Sequence, residues 1–260
     1  FMDMLAMLLW PRFKALLDHQ MDSVRSAPAP ALLSNGSEKF PHYVTRRYGE
    51  LSASIVLLTN SASAEMLAHS LNFMRSELDA LLQRMAASLS PRRRQLVFLI
   101  NQLDAIIGIY AERGLGAEAG AAWQQKLDSE VNAFVEAELL ERYGPLVAFV
   151  LEVEEAAEKA RHDNQPQPTV QVAKVRPLVE GFAASWKQGI DQINVNVMGN
   201  FHNMKNGMEI LKRTLTQLLL YYTRFLDLIK RYCNESSTLS RDMVNIPSII
   251  AEIKKYSRTF

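Results

Sequence analysis

The chain has 260 residues, about half of them hydrophobic, which is enough to bury one large core or two smaller ones. Its 29 basic and 28 acidic residues leave a net charge of +1, so composition excludes a chain-wide attraction to polyanions. The single cysteine, Cys233, excludes an internal disulfide and a zinc site of several cysteines, and it predicts a reducing compartment.

The opening residues, FMDMLAMLLW, form an apolar run that contains Asp3 and has no basic segment before it. This pattern is not typical of a signal peptide. We interpret it as an amphipathic helix entered partway, and we expect the chain to be a fragment of a longer protein. No apolar run approaches the roughly 18–20 residues that a membrane-spanning helix needs.

Three polar segments punctuate the chain and are predicted to be loops, because they are rich in Pro, Ser and Asn. They cover residues 26–41, 161–169 and 234–245. The second is the best candidate for a domain boundary, so we expect an N-terminal helical bundle over 1–165 and a C-terminal helical bundle over 166–260.

The stretch FPHYVTRRYGELSASIVLL, Phe40 to Leu58, predicts an amphipathic helix. Its apolar residues recur in steps of three and four, which places them on one face. Pro41 suits the first turn, where a missing N–H has no cost. His42, beside it, is interpreted as a capping or surface histidine.

Tyr43, Arg46 and Arg47 at the start of this helix form a first candidate partner surface. Three interpretations remain open: a solvated arginine pair whose stems cover Tyr43 and Tyr48, a contact with a protein partner, or a nucleic-acid contact. The last is disfavoured, because the neighbourhood adds only Lys39.

A second helix start is predicted at Ser90–Pro91, with the serine as cap and the proline in the first position. The sequence that follows, QLVFLINQLDAIIGIY, is apolar nearly all round and predicts the central buried helix. Arg92, Arg93 and Arg94 fall in its first turn, where the helix dipole disfavours cations. They are either a tolerated or neutralised basic turn or an anion-accepting site for an acidic partner or lipid headgroup.

Further helices are predicted over about 63–88, 117–142 and 145–161, with a helix stop and restart at Gly114 to Gly120. Acidic residues at 136, 138 and 141 and at 152, 154 and 155 are interpreted as solvated helix faces rather than paired catalytic carboxylates. From Pro177 to about residue 232 a single apolar stripe continues without a proline. It predicts either one helix of about 75 Å or two collinear helices bent near Gly199.

A search for chemistry finds none of the common motifs. The five histidines are not spaced as metal ligands, and no phosphate-binding loop or nucleophile motif occurs. We therefore predict an all-α protein that is not an enzyme, with no catalytic, cofactor-binding or metal-binding residues and no cofactor.

Several segments, in order and spanning nearly the whole chain, closely resemble the family of vacuolar protein sorting-associated protein fifty-two. They are WPRFKALLDHQMDSVRS, PHYVTRRYGELSASIVLL, RRQLVFLINQLDAIIG, GPLVAFVLEVEEA, LVEGFAASWKQGIDQINVNVMGNFHNMKNG and NIPSIIAEIKKYSRTF. The resemblance implies the C-terminal portion of that protein, without the family's N-terminal coiled-coil region. It also implies elongated, stacked helical bundles of the multisubunit tethering type.

The resemblance further implies a subunit of the Golgi-associated retrograde protein complex and of the related endosomal recycling complex. Expected partners are other tethering-complex subunits, SNAREs and a Golgi Rab GTPase, with no nucleic acid and no small-molecule substrate. The expected location is the cytosolic face of trans-Golgi and endosomal membranes, reached through partners. A direct membrane-surface binder is the alternative, disfavoured by the near-zero net charge.

Overall fold

A computed structural model describes residues 2–34, 36–58, 64–234, 239 and 241–257, and every regular element in that part is helical. The all-α prediction is therefore confirmed. The longer helices are α1 (Met2–Ser26), α2 (Tyr43–Leu58), α3 (Ala64–Ala87), α4 (Arg92–Glu112), α5 (Ala117–His162), α6 (Val172–Asn200), α7 (Met204–Tyr232) and α8 (Ile246–Ser257). The predicted first loop contains two short 3-10 helices, Ala29–Leu32 and Ser37–Lys39. The predicted third loop lies partly outside the described residues.

The chain divides into two compact units, Phe1–Val131 and Asn132–Phe260, and helix α5 contributes residues to both. The loop predicted at 161–169 is present between α5 and α6. The two predicted bundles, 1–165 and 166–260, stay a prediction.

Helix α4 forms the centre of the first unit, as its apolar sequence predicted. Ten of its residues are buried, and it packs against α2, α3 and the second 3-10 helix. The first part of α5 closes the unit through Trp123, whose ring meets Tyr48 of α2 edge-on at 5.6 Å between centroids. Gly114, with a positive φ of 72°, lies between α4 and α5 and confirms the predicted helix stop.

The start of α4 differs from the prediction by one residue. Pro91 occupies the cap position with extended backbone angles, the helix begins at Arg92, and no side chain caps it. Ser90 is therefore not the capping residue, because it lies one position too far from the first free N–H groups.

Helix α5 consists of two helical segments that meet at a kink at Tyr143, whose φ of −119° and ψ of 21° are not helical, so the two helices predicted over about 117–142 and 145–161 are confirmed. Pro145 explains the kink, since its ring has no N–H to donate and clashes with the carbonyl four residues earlier.

The prediction of one long helix, or of two collinear helices, between 177 and 232 is wrong. Helices α6 and α7 are antiparallel: the ring of Phe182 stacks on Tyr222 at 4.2 Å, and the Val170 N–H donates to the Tyr232 carbonyl at 2.9 Å. The chain turns at Phe201, which is extended, and Asn203 caps α7 by accepting from the Lys205 N–H. The break was expected near Gly199, but an apolar stripe continues in phase equally well when the second helix folds back on the first.

Apart from Met204 and Met208, the stripes of α6 and α7 bury their large side chains in the second unit, together with the C-terminal half of α5. Edge-on ring pairs connect the elements: Phe134 with Phe201 at 5.1 Å, and Phe149 with Phe225 at 5.5 Å. Helix α8 packs on α6 and α7 through the fully buried Ile249. None of the helices described is long and apolar enough to span a membrane.

Candidate interaction surface at the start of helix α2

The backbone that leads into α2 is held by a buried amide on α4. The Gln102 Oε1 atom accepts from the His42 backbone N–H at 2.7 Å and from the Thr45 hydroxyl at 2.9 Å. Its Nε2 atom donates to the Phe40 carbonyl at 3.0 Å. Because Gln102 and Thr45 are both fully buried, these bonds fix where α2 begins relative to α4.

A second contact of the same kind lies one residue earlier on α4. The Asn101 Nδ2 atom donates to the Glu38 carbonyl at 3.0 Å. The Glu38 carboxylate in turn accepts from the Arg94 Nε atom at 3.0 Å. Burial raises the pKa of the Glu38 carboxyl, but hydrogen bonding and charge from Arg94 outweigh it, so that pKa lies below its ordinary value.

His42 is a capping residue, which is one of the two roles predicted for it. Its Nδ1 atom accepts from the Val44 N–H at 3.3 Å, and its Nε2 atom lies 3.3 Å from the Leu32 carbonyl. A neutral ring with its proton on Nε2 satisfies both partners. Burial lowers the pKa of His42, and the Leu32 contact opposes that shift only partly.

The three predicted residues on α2 are directed outward from this locked junction. Tyr43 is 51% exposed, and Arg46 and Arg47 are exposed as well. The Arg47 guanidinium lies over the Tyr43 ring, 5.3 Å from its centroid. Arg47 therefore covers Tyr43 with its guanidinium group and not with its stem as expected, whereas Tyr48 is buried against Trp123.

An apolar cavity of about 240 Å³ adjoins this surface, between α1, α2 and α3. Tyr43, Arg47 and the partly exposed Leu51 line its α2 side, and Met21 and Met74 lie on the α1 and α3 sides. The exposed cation and ring are therefore continuous with an apolar recess, which is a combination common in protein interfaces.

The arginines at the start of α4 are largely engaged within the first unit. Arg94 pairs with Glu38 and also donates to the Ser90 carbonyl at 3.3 Å. Arg92 donates to the Gln95 Oε1 atom at 2.8 Å, and Arg93 is half-buried. For Arg94 a carboxylate from a neighbouring element neutralises the charge, which was one of the two open interpretations.

The interpretation of the acidic residues on α5 as a solvated face is wrong at one position. Glu138 is fully buried, and its Oε1 atom accepts from Arg142 Nε at 3.0 Å and from Asn196 Nδ2 at 3.2 Å. A cation and an amide donor therefore face this buried carboxyl group. In the described part of the chain, no group of three or more His, Cys, Asp or Glu residues could hold a metal ion.

Sequence reasoning missed the roles of Asn101 and Gln102. The signal was present in FLINQLDAI, where two adjacent amides interrupt an otherwise apolar helix. Buried amides need partners, so a helix of this kind predicts hydrogen bonds to a neighbouring backbone.

Comparison with known proteins shows which family the chain belongs to. The family described as "Vps52, C-terminal" matches residues 1–135. The chain is 36% identical over its whole length to vacuolar protein sorting-associated protein 52 A of Arabidopsis thaliana. It belongs to the Vps52 family.

Other family members extend the likeness across kingdoms. The Homo sapiens homolog of vacuolar protein sorting-associated protein 52 is 34% identical over 97% of the chain, and the Caenorhabditis elegans homolog is 27% identical over 97%. The chain spans only about a third of the length of these Vps52 proteins, 36% of the plant protein and 34% of the human one. No solved structure matches it.

Proposed function

We propose that this chain is part of a non-catalytic subunit of the Golgi-associated retrograde protein complex, which tethers endosome-derived vesicles at the trans-Golgi network and acts in endosomal recycling. The observation that carries the proposal is the family likeness, which runs along the whole chain and not through one short motif. The names of the relatives assign them to vacuolar protein sorting, and tethering is the finer role proposed here.

The proposed mechanism is presentation of surfaces. Helical units position several docking patches for other tether subunits, for SNAREs and for a Golgi Rab GTPase, and individually weak contacts add through effective concentration. Membrane association is peripheral and runs through these partners. No nucleic acid, small-molecule substrate or cofactor takes part.

Tyr43, Arg46 and Arg47 form the first proposed docking patch. Arg46 and Arg47 have no carboxylate partner within the described residues, and Tyr43 offers an exposed ring beside an apolar recess. Tyr and Arg are the residue types enriched where interfaces concentrate their binding energy. The patch therefore suits a protein segment that carries an acidic and an apolar side chain.

The turn of Arg92, Arg93 and Arg94 is the second proposed patch. Arg94 already forms an ion pair with Glu38, so only part of the positive charge in this turn is available to an acidic partner. We therefore expect charge reversal here to affect partner binding less than charge reversal at Arg46 and Arg47.

The proposed function is tested by rescue. In cells that lack the native family protein, the full-length protein should restore retrieval of a cycling cargo receptor to the trans-Golgi network, and a version without this chain should not. Equal rescue by both versions would overturn the proposal.

Liposome flotation distinguishes the alternative of direct membrane binding. The isolated chain should remain with the unbound fraction on vesicles that contain anionic lipids at physiological salt. Flotation that is lost on Arg46→Glu/Arg47→Glu substitution would instead assign this patch to the membrane.

A further inference from the structure

A groove with an apolar floor lies between α7 and α8 in the second unit and has a volume of about 670 Å³. We name it the α7–α8 groove. Its floor is formed by Met204, Met208, Leu211, Leu215, Ile253 and Tyr256. Leu211 and Leu215 are buried, whereas Met208, Ile253 and Tyr256 are half-buried.

The two methionines of this groove, Met204 and Met208, are more exposed to solvent than the rest of the apolar stripe to which they belong. The stripe residues before and after them, such as Val197 and Leu218, are almost fully buried, but Met204 is 55% exposed. Methionine side chains are flexible and polarizable, and they are often used on surfaces that adapt to an apolar partner. Within the described residues, this part of the stripe is thus left open.

The rim of the groove carries positive charge that the described residues do not neutralise. Lys205 and Lys212 are both exposed, line the groove and form no ion pair in that part of the chain. Among the described residues of the lining, Glu209 is the one carboxylate, and Arg213 lies 3.6 Å from it. The open charge beside the apolar floor is therefore positive.

The geometry points to an acidic amphipathic helix from a partner protein as the occupant of the α7–α8 groove. From Met204 to Leu215 the floor extends over about 16 Å at 1.5 Å per residue, which is three helical turns. A docked helix would place apolar side chains at i, i+4, i+7 and i+11 over about the same length. Glutamate or aspartate residues beside those anchors would meet Lys205 and Lys212.

Charge also separates this occupant from a second copy of the chain. A two-fold contact through the groove would set Lys205 and Lys212 against the same residues of the other copy, and like charges repel. The groove residues are separate from the Tyr43–Arg47 patch, so the inference stands or fails independently of the proposed function.

The test uses two synthetic helical peptides and the 260-residue chain. The acidic peptide carries leucine at i, i+4, i+7 and i+11 with flanking glutamates, and the basic peptide replaces every glutamate by lysine. Fluorescence anisotropy should show the acidic peptide binding about tenfold or more tightly than the basic one.

Variants keep the test independent of folding. Met208→Asp should weaken binding of the acidic peptide by about tenfold or more. Lys205→Glu/Lys212→Glu should invert the preference toward the basic peptide, which an unfolded chain could not do. Lys230→Glu/Arg231→Glu changes the net charge equally on the same helix, outside the groove lining, and should preserve the preference.

Three results would overturn the inference. The first is equal binding of both peptides, or acidic-peptide binding that survives Lys205→Glu/Lys212→Glu. The second is a dimer in sedimentation equilibrium that Met208→Asp dissociates, which would assign the groove to a second copy. The third is flotation on vesicles of phosphatidylcholine and phosphatidylserine that the lysine reversals abolish, which would assign it to a membrane.

Discussion

Gln102 shows how a single buried side chain can fix a helix junction. Its amide meets a carbonyl, an N–H and a hydroxyl that belong to three residues around the start of α2. Each of those groups would otherwise be removed from water without a partner, which costs more than an ordinary hydrogen bond contributes. The junction is therefore held from α4, and Tyr43 and Arg47 are left to face outward.

Replacing this amide should destabilise the chain. We expect Gln102→Leu to lower the free energy of unfolding by about 1–3 kcal/mol, because it leaves buried polar groups unsatisfied. Urea denaturation of both proteins measures the difference. Gln124→Leu, an exposed change on α5, should stay within about 0.5 kcal/mol of wild type. Equal effects of the two substitutions would show that Gln102 does not hold the junction.

His42 should make stability depend on pH. Its pKa is lowered in the folded chain, so as pH falls below about 6.5 the unfolded chain takes up a proton more readily than the folded one. The stabilising contribution of the neutral ring is present above that pH and is lost as pH falls through the folded pKa. Protonation would also place an N–H of the ring against the Val44 N–H.

The measurement compares wild type with His42→Asn, since asparagine can cap a helix but does not titrate. The wild-type advantage in free energy of unfolding should shrink between about pH 7.5 and pH 5. An advantage that is constant or grows in acid would contradict the assigned direction of the pKa shift.

At this scale the sequence identified the types of residue more readily than their partners. It predicted His42 as a cap or a surface residue, and it offered a carboxylate partner as one interpretation of the α4 arginines. It did not predict that Glu38 is that partner for Arg94, because the two are 56 positions apart and only the tertiary fold brings them together.

Helix α6 and the kinked helix α5 approach each other closely at a glycine. A Cβ atom added to Gly189 would lie 2.0 Å from the Tyr143 hydroxyl oxygen and 2.9 Å from the ring carbon that bears it. The Tyr143 ring is only 6% exposed and packs against Phe182 at 5.6 Å, so it has little room to move. The Tyr143 side chain at the kink of α5 therefore occupies the space that a side chain at position 189 would need.

Gly189→Ala should destabilise the chain by about 1–3 kcal/mol through overpacking. Gly181→Ala is the matched control on the same helix, because its Cβ would meet nothing within 4 Å. That change should stabilise the chain by about 0.5–1 kcal/mol through helix propensity. Thermal denaturation should show a lower melting temperature for Gly189→Ala and a higher one for Gly181→Ala than for wild type.

The cause can be tested by a double mutant. Tyr143→Phe removes the hydroxyl oxygen and should recover part of the loss caused by Gly189→Ala. Additive effects of the two substitutions would contradict a direct clash between these residues.

Element positions were predictable and element directions were not. The bounds of α2 and α3 agree with their apolar spacing within a residue or two. The same spacing could not show that α7 returns along α6, because periodicity defines which face of a helix is apolar and carries no information on which way the next helix runs. Asn203, as a cap two residues after Phe201, was the available signal for a restart.

At the scale of the whole chain, the two units combine ordinary helical cores with polar residues and an apolar recess left open at the surface. In the first unit, the buried amides of Asn101 and Gln102 hold the start of α2. Tyr43, Arg46 and Arg47 lie exposed beside that junction. The family likeness indicated the class of protein at once, but sequence alone could not separate residues that lock the junction from residues free to bind. Burial and hydrogen bonding show which residues hold the junction and which are exposed, and partner binding by the exposed ones stays a proposal.

The most direct test of this division is a partner-binding measurement made beside a stability measurement. The full-length protein is purified from cells as wild type and as Tyr43→Ala/Arg46→Glu/Arg47→Glu. The proposed partners, which are tether subunits, SNAREs and Rab GTPases, are quantified in both preparations by mass spectrometry. The melting temperature of the chain with the same substitutions is measured in parallel. We predict an unchanged melting temperature and a loss of about tenfold or more for at least one of these partners. Full retention of every partner, or a large fall in melting temperature, would contradict the account.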